Sequence, residues 1–354
     1  MKRRDRKSQK RQRSKDIAVN PNRKRYRAAL LSIVITLVNV CSIAAQSDGC
    51  HIESGPLDPG QWAMQAACLL RPVEMYRRLG RSLQVLPVPL NSLIGQTNVV
   101  DKSELVHYLR ERGIDETSIG GRIDNPIPGA RYFIIHDTSM PNFKRQDFPY
   151  HLIDSKEWND RQLRGLLSGT RTHVWVSRTG ESETSTDYRL VTVRAGVKLE
   201  SKYPSLRGLL LHTELVQPRR CDPGKRQCCW TDTGGKEICN DAVAPEPGFT
   251  AAQIDRLALL YVAASTRRGR WLIPAFHGVV DDAFGQNAHD DPQHFDLTLW
   301  AGRLQVLLND LNFPSSAGLV ATGPAETLAA NSEGTSRNFS PGSPGRSGNS
   351  GDSK

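Results

Sequence analysis

Short apolar runs ended by turn signals mark strands between residues 130 and 216. RYFIIH, residues 131 to 136, precedes a polar loop containing Pro141 and predicts a buried strand. THVWVSRTG, residues 172 to 180, alternates and ends on a glycine turn, predicting a second. GLLLHTELV, residues 208 to 216, predicts a third. Elsewhere the spacing becomes helical. Leu105, Tyr108 and Leu109 form one stripe, with Asp101 as cap, Glu104 three residues on and Gly113 as stop, so a helix is predicted over 101–112. Thr250 and Gln253 make a T-x-x-Q box ahead of Ile254, Leu257 and Tyr261. Leu297, Trp300, Leu304, Leu307 and Leu308 mark a last helix over about 296–311, with Pro314 beyond it. Strands and helices mingle between 130 and 312. The expected fold is therefore α/β, a mixed central β-sheet flanked by helices.

The flanks divide by composition. Residues 46–127 read as a helical lead-in and 128–316 as the main domain. Within it, 217–248 is rich in Cys and Gly and reads as a stapled loop. The tail, 317–354, is rich in Ser, Gly and Asn and is expected to be disordered. There is no internal repeat.

Charge refines this picture. The chain carries a formal +10, but residues 1–27 hold thirteen Lys or Arg against two Asp, a net +11, so the rest sums to 10 − 11 = −1. A globular part with no net basic field is not expected to bind nucleic acid. The basic tract runs into an apolar stretch, Ala28 to Val40, then Ser42, Ala44 and Ala45. That order reads as a secretory signal over 1–45, cleaved after Ala44, with an uncleaved membrane anchor as the alternative. The stretch is short for a span of about 20 residues. The expected location is exported, in the periplasm or cell envelope. Of seven cysteines, six follow this segment: Cys50, Cys68, Cys221, Cys228, Cys229 and Cys239. An even count in an exported chain predicts disulfides. Cys228 and Cys229 are adjacent and are expected to take different partners. Zinc binding by this cluster is the weaker alternative, since it contains no CxxC pair.

Five residues stand out chemically. His136 ends the first predicted strand, where α/β folds commonly place sites. Glu214 sits inside an apolar strand, where an unpaired carboxylate is costly. His277 follows Ile273-Pro274. His289 and Asp291 sit two apart before Pro292; the proline favours extended backbone, which points both the same way and Asp290 elsewhere. His136, His277 and Asp291 are candidate ligands for a catalytic Zn2+, which needs three protein donors and an open position. Glu214 is the candidate proton shuttle and His289 the candidate oxyanion donor. Structural roles compete: Glu214 can pair with an arginine such as Arg178, and Asp290 or Asp291 can cap the last helix. His173, His212 and His294 read as structural or substrate-contacting.

The order of these pieces resembles the zinc-dependent N-acetylmuramoyl-L-alanine amidase family, which includes phage lysozyme-type amidases and peptidoglycan recognition proteins. The similar stretch runs from about Ala130 to Leu308, half the chain. It comprises IIHDTSMP, THVWVSRTG, HTELV, IPAFHG and HDDPQHFDL, in that order. The resemblance implies that His136, His277 and Asp291 hold zinc, that Glu214 is the acid/base, and that peptidoglycan or a muropeptide is the substrate. It departs from the family at His289, where many members have Lys, and at Gln293, where Gly is usual. His277 also lies closer to the Ile-Pro, and further from Asp291, than is usual. A non-catalytic peptidoglycan-binding protein of the same fold is the alternative.

Overall fold

Parallel strands buried on both faces read as unbroken apolar runs, and two of the predicted strands are of this kind. In the computed structural model β3, Tyr132–Asp137, and β6, Leu210–Leu215, are buried at every position. The structure describes residues 50, 52–80, 83–167, 172–190, 193, 195–282 and 289–313. The expected signal or anchor segment, 1–45, and the expected disordered tail, 317–354, lie outside the described residues. No helix among the described residues is long and apolar enough to cross a membrane.

The main sheet has five strands in the order β5-β4-β6-β3-β9. β4, Val174–Val176, pairs parallel with β6, β6 with β3, and β3 with β9, Ile273–Phe276. Only β5, Ser182–Thr184, runs antiparallel, at one edge. The sheet is therefore mixed, as expected. β9 was not legible as a strand because it contains Pro274. Its edge position accommodates a residue that cannot donate to a ladder.

The predicted helices form with their predicted ends. α3, Lys102–Glu111, is capped by Asp101, which accepts from the Ser103 and Glu104 amides. α7, Ala251–Arg268, starts in a reciprocal Thr250–Gln253 box and ends at Gly269, whose φ of +73° suits glycine. α9, Leu297–Asp310, is capped by Asp296 through the Leu299 amide. All five residues of its predicted apolar stripe are buried.

The lead-in folds as α1, Pro59–Leu69, a ribbon of β1, Val73–Glu74, with β2, Arg78–Leu79, then α2, Val88–Leu93, and α3. Its Trp62, Leu69, Leu90 and Leu105 share one apolar cluster with Phe133 and Ile135 of the sheet, and with Tyr261 and Trp300 of α7 and α9. Each such side chain contributes about 1.5–3 kcal/mol by burial, so the lead-in belongs to the core of the sheet. Two helices follow β3: α4, Tyr150–Ile153, and α5, Lys156–Leu167. α6, Lys198–Lys202, precedes β6, and α8, His277–Val280, follows β9.

The Cys-rich insert is a small hairpin of β7, Cys229–Thr231, and β8, Glu237–Cys239. Cys221 pairs with Cys228, Cys229 with Cys239, and Cys50 with Cys68. Three such pairs are the cysteine usage of an oxidising, exported environment. Arg220 and Val243 bond each other's backbones at 2.9 and 3.0 Å, so the insert leaves and returns at one point.

Candidate metal centre

Because β3, β6 and β9 are parallel, their C-terminal ends open on one side of the sheet. His136 lies opposite Glu214 in the β3–β6 register, and Trp175 opposite Glu214 in the β4–β6 register. His277 is the first residue after β9 and starts α8. Asp291 comes from the segment ahead of α9 and closes the group. Its Oδ2 lies 3.0 Å from His277 Nδ1 and 3.7 Å from His136 Nδ1, and it accepts from the Asp137 amide at 3.3 Å. One donor atom from each of His136, His277 and Asp291 falls within 4.8 Å of the others. A tetrahedral cation with metal–nitrogen bonds of about 2.0–2.1 Å spaces its ligands about 3.3 Å apart, so the three need only small adjustments to share an ion. His136 Nδ1 is buried and has no hydrogen-bond partner. A buried nitrogen left without a proton partner costs free energy, and a metal ion would satisfy it. The residues therefore fit a metal ion. The cysteine groups do not compete, because those sulfurs are paired with one another.

Glu214 stands across from the three donors, its Oε1 3.9 Å from His136 Nδ1. Burial, then the nearby Asp291 carboxylate, raise its pKa well above the usual carboxylate range. Arg178 does not pair with it; Arg178 binds Asp154 at 2.7 Å and the Gly248 carbonyl at 3.1 Å. The last helix uses Asp296 as its cap and leaves Asp290 and Asp291 to other partners. Asp290 turns away from Asp291 and accepts from the Tyr76 amide at 3.3 Å.

His289 stacks on His277, with ring centroids 4.1 Å apart, and its side chain is 39% exposed at the mouth. Both rings are held by Asp281, which sequence reasoning missed. Asp281 Oδ2 lies 3.2 Å from His277 Nε2 and 2.8 Å from His289 Nδ1, and its Oδ1 accepts from the Lys198 amide at 3.0 Å. A carboxylate at Nε2 keeps a proton on that nitrogen and leaves His277 Nδ1 to face the centre. The signal was present: Asp281 follows His277 by four residues, the spacing that places side chains together on a helix.

Charge differs across the centre. Burial, then the neighbouring imidazoles, push His136 well below its ordinary value, so it is neutral. His277 is also buried, but Asp291 and Asp281 outweigh that and raise it to about 10 without a metal. Burial acts to raise Asp281, yet bonds from His277 and His289 hold it well below the usual carboxylate range.

Asp137 and Arg219 form a buried ion pair at 2.5 Å below the centre, fixing the start of the insert against β3. Sequence reasoning missed this pair as well. His212 and His173 lie behind His136 in the interior, and His294 sits outside the centre. A cleft of about 790 Å³ opens above the three donors, His136, His277 and Asp291. Trp175 and Glu214 line it from the sheet, Tyr76 and Arg77 from the lead-in, and Asn240, Asp241 and Ala242 from the insert. Tyr76 Oη donates to Asp222 at 2.7 Å, joining those two walls.

Comparison with protein-family models, with curated proteins and with solved structures finds no match to this chain.

Proposed function

We propose that this protein is a zinc-dependent amidase that hydrolyses the bond between N-acetylmuramic acid and L-alanine in peptidoglycan. The observation that carries the reading is the convergence of His136, His277 and Asp291 at the floor of a cleft, with a buried Glu214 facing them. Two nitrogens and one carboxylate would hold zinc in the way catalytic sites do. When bound there, zinc supplies Lewis acidity toward an amide carbonyl and toward water.

The chain's own groups do the rest. Glu214 takes a proton from the attacking water and delivers it to the leaving amine as the carbon–nitrogen bond breaks. Its raised proton affinity suits a group that must hold that proton between steps. His289, fixed through Nδ1 by Asp281, directs its other nitrogen to the oxyanion that develops on the carbonyl. Trp175 and the walls of the cleft position the substrate and exclude water around it. Net charge after Arg27 is −1 and does not favour nucleic acid. A cell-envelope or periplasmic location follows from this substrate and agrees with the cysteine pairs, and membrane attachment through the N-terminal apolar segment belongs to the same reading.

The test is zinc content together with release of the L-alanine amine from purified peptidoglycan. Glu214→Gln should keep zinc and lose about 10²–10⁴-fold in turnover, whereas His136→Ala should lose both. His289→Ala should keep zinc and lose about 10²–10³-fold. Zinc-loaded wild type that binds peptidoglycan without cutting it would leave the non-catalytic binder. A zinc-loaded Glu214→Gln with wild-type turnover would end the proposed mechanism.

A further inference from the structure

Glu200 is a carboxylate with no exposed surface, on a five-residue helix whose neighbouring Ser201 and Lys202 face solvent. Burying a carboxylate is costly unless donors hold it. It lies 3.0 Å from His212 Nε2, and His212 is fully buried on β6. The second nitrogen of His212, Nδ1, lies 3.1 Å from His136 Nε2. The remaining nitrogen of His136 is the unpartnered Nδ1 that faces Asp291. A line of three side chains thus runs from the interior to the proposed metal, and the amidase mechanism uses only its last member.

We propose that Glu200 and His212 are positioning residues, which hold His136 with its proton on Nε2 and its Nδ1 lone pair turned toward the metal. The proposal rests on the metal-centre reading above. Its logic is that each nitrogen fixes the next. An acceptor oxygen 3.0 Å away favours a proton on His212 Nε2, although the two groups are not aligned as a full hydrogen bond. A proton on His212 Nδ1 would push the His136 proton onto Nδ1, which is buried with no hydrogen-bond acceptor, so His212 Nδ1 is bare. A bare Nδ1 must accept, so His136 Nε2 donates. The lone pair of His136 is left on Nδ1.

The relay is also locked against rotation. The His212 ring stacks on His173 with 6° between planes, and the His212 amide donates to His173 Nδ1 at 3.1 Å. His173 Nε2 in turn lies 3.2 Å from the Leu190 carbonyl. The Thr172 hydroxyl donates to the His212 carbonyl at 3.2 Å.

The experiment combines nitrogen-resolved NMR of the histidine rings in metal-free protein with zinc affinity from chelator competition. Wild type should show His136 protonated on Nε2. Glu200→Leu removes the acceptor, so His136 should show both tautomers and zinc affinity should fall about 10–100-fold. Glu200→Gln keeps an oxygen that can accept from His212, so it should restore the single tautomer and most of the affinity. A merely structural Glu200 would instead lower the melting temperature in both variants and leave zinc affinity unchanged. His136 protonated on Nδ1 in wild type overturns the proposal. So does Glu200→Leu with wild-type tautomer and affinity. The wild-type ring signals need no variant, so they decide the tautomer even if Glu200→Leu does not fold. Wild type that takes up no zinc overturns the metal-centre reading, and the ring signals then still decide the tautomer.

Discussion

His136 and His277 present the same atom, Nδ1, to the same carboxylate, Asp291, and each is held from behind at Nε2. The two supports differ in kind. Behind His136 stands a neutral imidazole, with the carboxylate one residue further back. Behind His277 stands the carboxylate of Asp281 itself. The difference sets the charge of each ring. His136 is kept neutral by burial and by its imidazole neighbours, ready to bind a cation without releasing a proton. His277 sits between two carboxylates and holds a second proton in the metal-free protein, which a bound metal would have to displace. One ligand is orientated by hydrogen-bond direction alone, the other by direction and charge. Both supports meet at α6, where the Lys198 amide donates to Asp281 and Glu200 lies 3.0 Å from His212.

The largest expected effect breaks the charged support. In metal-free protein at neutral pH, Asp281→Asn removes one of the carboxylates that hold the cationic His277. Breaking a buried pair in this way costs about 3–5 kcal/mol. Glu200→Gln keeps a hydrogen-bond acceptor behind a neutral ring, and its cost should be about 1 kcal/mol. Urea denaturation of the two metal-free variants measures both. Equal losses would show that the supports do not differ in charge.

How much of this was legible in the chain follows from the same contrast. Asp281 acts on His277 through helical spacing, a signal contained in five consecutive residues. Glu200 acts on His136 through two tertiary contacts. In KLESK it looks like a solvated residue of a short surface helix, and His212 inside GLLLHTELV looks like a core histidine. Only the packing of α6 against β6 brings them together. Among strands, RYFIIH and GLLLHTELV were legible because buried parallel strands are continuously apolar. SET is too short and polar to stand out, and IPAF is masked by its proline. His289 and Asp291 both approach His277, but the seven residues separating Asp281 from His289 in sequence hid how close Asp281 and His289 lie to it.

A smaller effect separates the supports by pH. His173 and His212 stay neutral in the fold down to about 3, against an ordinary value of 6.5. The unfolded chain therefore binds more protons between those limits, and this side loses stability as pH falls through that window, by about 1.4 kcal/mol per pH unit for each ring. His277 has the opposite sign. Its folded value is raised to about 10, so its contribution is complete below about 6.5 and is lost as pH rises through 10. Melting of metal-free protein across pH should show that His173→Gln flattens the acid limb and Asp281→Asn the alkaline limb. Asp281→Asn also removes the contribution of its own depressed carboxyl below about pH 4, so a limb flattened by both variants between about pH 4 and 6.5 would contradict the assignment.

The smallest effect is a control on both supports at once. Replacing Cys229 and Cys239 by Ser loosens the hairpin but touches neither Asp281 nor His212. Zinc affinity should stay within about twofold, the coupling expected between separated sites. A tenfold change by chelator competition would mean that the insert shapes the ligands as well as the cleft wall.

The insert has a consequence for how such a protein can change over time. Its two ends are bonded to each other at Arg220 and Val243, and its internal cysteines tie only its own residues. The sheet receives the same two chain ends whatever lies between them. Residues can be gained, lost or exchanged across 221–242 while the strands carrying His136 and Glu214 keep their register. The wall and the floor of the cleft can therefore evolve at separate rates, and a hairpin grafted at that closure is the natural place to reshape the cleft mouth.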